Sequence, residues 1–71
     1  VSIFNIKMKT LIVKADDGRE YHIDDPNRFY QHLIDFHSDN SIGNNSVHEE
    51  NGYYFTVTRS FYDTVKKFVE K

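Results

Sequence analysis

Two turn signals limit what this chain can become. Asp16-Asp17-Gly18 separates Thr10-Leu11-Ile12-Val13-Lys14-Ala15 from Arg19-Glu20-Tyr21-His22-Ile23, and Asn51-Gly52 stands directly before Tyr53-Tyr54-Phe55-Thr56-Val57-Thr58. Asp-Gly and Asn-Gly tolerate positive φ, so each marks a tight hairpin between strands rich in β-branched and aromatic residues. Each hairpin then runs into an amphipathic stretch, which predicts the order ββαββα.

The first hairpin has two candidate registers. A two-residue Asp17-Gly18 turn would pair Lys14 with Tyr21 and Val13 with His22, mixing apolar and polar faces. A three-residue loop with Gly18 left-handed pairs Leu11 with Ile23, Ile12 with His22, Val13 with Tyr21 and Lys14 with Glu20. That register gives one apolar face and one opposite-charge pair, so it is preferred. Upstream, Phe4, Ile6 and Met8 alternate with Asn5 and Lys7 as in a half-buried strand. Their parity is even, whereas Leu11 and Val13 are odd, and a β-bulge near Lys9 or Thr10 would reconcile the two. Met8 leaves another reading, in which residues 1–7 are an adventitious or flexible extension.

Asp25 and Pro26 form an N-cap and a first helical residue. Phe29, Tyr30, Leu33, Ile34, Phe36 and His37 then follow the 3.6 period, predicting a helix over 26–38. Residues 38–52 are polar. A short strand at Ser46–Glu50 paired through Asn51-Gly52 leaves 39–45 as a mobile connection. A second helix is expected over 60–70, capped by Ser60 with Asp63 as its acidic partner, and striped by Phe61, Tyr62, Val65, Phe68 and Val69. The expected core is Leu11, Val13, Tyr21, Ile23, Phe29, Leu33, Phe36, Phe55, Val57, Phe61, Val65 and Phe68, with Tyr30 and Tyr62 at the edges of the helical stripes.

The halves resemble each other. Gly18, Tyr21 and Ile23 match Gly52, Phe55 and Val57 at an offset of 34. Phe29, Tyr30, Leu33 and Phe36 match Phe61, Tyr62, Val65 and Phe68 at an offset of 32, with His37 falling at Val69 and Ile34 at Lys66. A duplicated ββα unit explains this, and so does convergence of two hairpin–helix units. The expectation is one α+β domain over residues 1–71, with an antiparallel sheet and both helices packed on one of its faces.

Composition excludes more than it assigns. Seventy-one residues make one domain, and no cysteine means no disulfide scaffold, no thiolate metal site and no thiol nucleophile. The longest apolar run, Leu11-Ile12-Val13, is far too short to cross a membrane. A formal net charge of −2 with scattered basic residues argues against nucleic acid, whose affinity comes mostly from phosphate neutralisation. The chain fits a reducing cytoplasm, and its Asn- and Lys-rich style suits an accessory protein of a bacterium or phage.

No catalytic constellation stands out. Asp16-Asp17, Asp24-Asp25 and Glu49-Glu50 have simpler uses in turn, cap and exposed strand. Gly18, Gly43 and Gly52 are isolated, so there is no phosphate loop. His32 and Asp35, with Arg28 and Asp39 nearby, have the spacing to hold a cation, but the ordinary reading is a solvated helix face. His37 reads as a boundary residue, and His22 and His48 as strand residues on outward or mixed faces. No cofactor and no metal is therefore expected. If the helices cover one sheet face, the other carries Ile12, His22, Val47, Tyr54 and Thr56, a surface for an unidentified protein partner or a second copy. The expected function is a non-enzymatic interaction or regulatory module. The alternative is a single-stranded nucleic-acid binder stacking bases on Tyr21, Tyr53 and Tyr54, and the distant one a metal-dependent enzyme built on His32 and Asp35.

Overall fold

The computed structural model describes residues 10–70. The strand and bulge expected over Val1–Lys9, and the extension over 1–7, lie outside the described residues. Elements follow as β1 (Leu11–Lys14), β2 (Glu20–Ile23), α1 (Pro26–Phe36), β3 (Ser38–Asp39), β4 (Ile42–Gly43), β5 (Val47–Glu50), β6 (Tyr53–Thr56) and α2 (Arg59–Val69). This is the α+β order read from the sequence, with a small β3–β4 hairpin inserted between the halves.

β1 and β2 pair antiparallel in the three-residue-loop register: Leu11 opposite Ile23, Ile12 opposite His22, Val13 opposite Tyr21, Lys14 opposite Glu20. Gly18 supplies the positive φ of 91° that the loop requires. β5 and β6 pair through Asn51 and Gly52, both at positive φ, as a type I′ turn demands. The segment expected as a mobile connection is ordered differently. Asn40 and Ser41 both take positive φ and turn Ser38-Asp39 back onto Ile42-Gly43.

Asp25 caps α1 as expected, its carboxylate accepting from the Arg28 N–H at 3.2 Å. α2 begins one residue earlier than expected. Thr58, not Ser60, is the N-cap, with Oγ1 accepting from the Phe61 N–H at 3.1 Å. Thr58 wins because it sits in extended backbone, whereas Ser60 is already inside the helix.

Among the described residues the strands form three separate two-stranded sheets, not one continuous sheet. The two larger hairpins are joined by Asp16 instead of by a ladder. Its N–H donates to the Tyr54 carbonyl at 2.7 Å, and its carboxylate accepts from the Thr56 N–H and hydroxyl at 2.8 and 2.7 Å. One core unites the molecule: Leu11, Val13, Ala15, Ile23, Phe29, Leu33, Phe55, Val57, Tyr62 and Val65. Three expectations about that core are corrected. Phe36 lies at the last turn of α1 and is 65% exposed. Tyr62 sits in the middle of the core, 1% exposed, instead of edging it. Tyr21, Phe61 and Phe68 pack against the core only partly buried. No helix among the described residues is long and apolar enough to cross a membrane.

Candidate functional site

The residues expected to form a partner-binding face divide between two hairpins. Ile12 and His22 are cross-strand neighbours in β1–β2, and Val47 and Thr56 in β5–β6, with Tyr54 opposite Glu49. Ile12, Val47 and Tyr54 are 52%, 53% and 55% exposed, His22 is exposed, and Thr56 is half-buried with its donors given to Asp16. The three tyrosines of the stacking hypothesis are not gathered into one platform. Tyr21 and Tyr53 rest on each other at 4.7 Å between centroids, and the Arg19 guanidinium covers the Tyr53 ring at 4.1 Å. Only Tyr54 stands largely in solvent.

A different cluster appears where α1 ends. His32 projects from the helix, His37 is its C-cap, and His48 lies in β5 opposite Phe55. The three rings lie 4.6 Å (His32–His48), 5.2 Å (His37–His48) and 5.5 Å (His32–His37) apart between centroids. One ring nitrogen from each falls within 4.8 Å of the other two. Asp35, the partner proposed for His32 on spacing, instead accepts from Gln31 at 3.0 Å.

Two of the three rings are fixed by their second nitrogen. His37 Nδ1 lies 2.7 Å from Ser46 Oγ, which donates in turn to Asn44 Oδ1 at 2.5 Å. An amide oxygen only accepts, so the Ser46 hydroxyl proton points to Asn44 and its lone pair takes the His37 Nδ1–H. His48 Nε2 lies 3.0 Å from Glu50 Oε1, while Glu50 Oε2 accepts from the Tyr21 hydroxyl at 2.6 Å, and Asn51 Nδ2 donates to that hydroxyl at 2.7 Å. His37 and His48 are 9% and 5% exposed, and His32 is exposed. Burial, then repulsion from His48 and His32, lowers the His37 pKa and so favours its neutral form. Burial works to raise the Glu50 pKa, but donation from Tyr21 and His48 outweighs it and holds the carboxylate below its ordinary range.

An open groove borders the cluster between β2, α1 and β5, lined by Tyr21, Arg28, His32, Asp35, His48 and Glu50 among others. The sequence reading missed this gathering because it placed His48 on an outward or mixed face. The signal was present: an Asn51-Gly52 turn pairs His48 with Phe55 and turns both inward. Neither a family model, nor a curated protein, nor a solved structure matches the chain.

Proposed function

We infer that this chain is a non-enzymatic protein-interaction module, with the outward residues Ile12, His22, Val47, Tyr54 and Thr56 as its contact surface and a second copy as its partner. The observation that carries the reading is the exposure of three large apolar side chains, each more than half in solvent, on two hairpins locked together by Asp16. Burying such side chains is favourable by roughly 25 cal/mol per Å² of apolar surface. The same surface offers both charge signs, Lys14 opposite Glu20 and Glu49 opposite Tyr54, as a self-complementary two-fold contact requires. A standard interface of about 800 Å² per partner would take about a sixth of this chain's 4851 Å².

Sedimentation equilibrium over a tenfold range at micromolar concentration tests it. The expected mass is twice 8.4 kDa, and Ile12→Lys, a change at an exposed position, returns the monomer. A monomer mass throughout overturns the reading.

A further inference from the structure

The molecule places three imidazoles together where an apolar cluster would serve. In the preceding half, the equivalent positions are occupied by Val13, opposite Tyr21, and Leu11, opposite Ile23; both are core residues. In the later half, His48 lies opposite Phe55, and the Ser46 carbonyl binds the Val57 N–H at 2.9 Å. Beyond the helices, Val69 packs against the core where the other half has His37. The architecture therefore accepts Val and Leu at this locus, and packing alone does not call for His37, Ser46 and His48.

We propose that His32, His37 and His48 form a three-histidine site for a divalent transition metal of the zinc class, tying the C-terminal end of α1 to β5. Imidazole nitrogen suits zinc, copper and nickel, whereas magnesium and calcium prefer oxygen. Zinc–nitrogen bonds of about 2.0–2.1 Å at tetrahedral angles need ligand nitrogens about 3.3 Å apart. The ligand nitrogens lie within 4.8 Å of one another, and His32, which is exposed and whose ring makes no hydrogen bond among the described residues, can turn towards the other two as a metal draws the three together. His37 and His48 are already oriented as metal ligands are. Each commits one ring nitrogen to a hydrogen-bonded partner, Ser46 or Glu50, which leaves His37 Nε2 and His48 Nδ1 to face a metal. The carboxylate on His48 also fixes the orientation of its ring. His32, exposed and lining the open groove together with His48, gives an ion its way in from solvent. Three protein ligands leave a fourth position at the edge of the groove for water or a donor from a bound molecule.

Titration calorimetry of the apoprotein with zinc chloride, paired with a thermal melt, tests the site. One Zn2+ should bind per chain, raise the melting temperature, and leave no such signature with Mg2+. His32→Gln alters an exposed residue, so the chain stays folded while affinity falls at least about tenfold, as loss of a direct ligand should exceed the smallest effect of losing its supporting partner. Asp63→Asn, at an exposed position on α2 outside both the cluster and the contact surface, should bind as the parent does. Binding well below one equivalent overturns the proposal. So does parent-like affinity in folded His32→Gln, or an equal loss in Asp63→Asn.

Discussion

The two ββα halves use one plan and fill it differently. Where they meet, matched residues touch: Tyr21 with Phe55 at 5.6 Å, Phe29 with Phe61 at 6.3 Å, and Tyr30 with Tyr62 at 5.7 Å between ring centroids. Contact between equivalents is what a pseudo-two-fold axis produces, and Leu33 and Val65, matched as well, are both fully buried. Away from that centre the halves part. α2 ends with Phe68 and Val69 against the core, whereas α1 ends with Phe36 in solvent and His37 in a polar cluster. The difference shows that the apolar stripe fixes the middle of each helix, while the last turn is left to whatever lies beside it. Beside α1 lies β3, the first strand of the hairpin inserted between the halves.

Truncating the rings on each side should break this comparison open. Phe55→Ala removes a ring that is 1% exposed and touches Tyr21, Phe29 and Phe61; the expected cost is about 3–5 kcal/mol, enough to unfold most of a chain this small. Phe68→Ala should fall between, and Phe36→Ala should stay within about 0.5 kcal/mol, as exposed positions do. Urea denaturation ranks the three, and a large loss at Phe36 would mean that the ends of α1 and α2 are equivalent after all.

The inserted hairpin gives a smaller effect. Gly43 brings β4 against the backbone before α2, and a Cβ there would lie 2.5 Å from the Thr58 carbonyl oxygen and 2.8 Å from that of Val57. Gly43→Ala should therefore cost about 1–3 kcal/mol through overpacking. Gly52→Ala, with open space around it but φ of 83°, should cost only the left-handed penalty of about 1–2 kcal/mol. Equal melting temperatures for Gly43→Ala and the parent would show that β3–β4 is not held against the second half.

The smallest effect is alkaline. Burial first, then the Tyr62 hydroxyl and the charges of Tyr62 and Glu70, push the Tyr30 pKa up to about 12. The fold thus favours the neutral phenol. Its contribution is whole below pH 10 and is lost as pH rises towards 12. Denaturant midpoints should drop across that window, and Tyr30→Phe, which cannot ionise, should drop less. Identical pH profiles would place Tyr30 in solvent and remove it from the contact between the halves.

Local chemistry was legible wherever one turn or one cap decided the outcome. The Leu11–Ile23 register follows from face matching around Gly18, the start of α1 from Asp25-Pro26, and the β5–β6 pairing from Asn51-Gly52. The same rules misplaced Phe36, because periodicity says which side of a helix a residue occupies and not whether anything lies against that turn. They also missed β3–β4, whose Asn40-Ser41 turn is weaker than Asn-Gly and whose partner surface comes from Val57 and Thr58, more than a dozen residues on.

The histidines divide in the same way. Sequence alone determined two hairpins, two helices, their order and the inward stripe, since each depends on residues within one or two turns of chain. Only the tertiary structure decided that His32 and His37 would meet His48, and that Asp16 would join the hairpins. Those contacts span 11 to 40 residues, and no local preference encodes them. They exist because the two halves bury one shared core, and burying that core brings the end of α1 against β5.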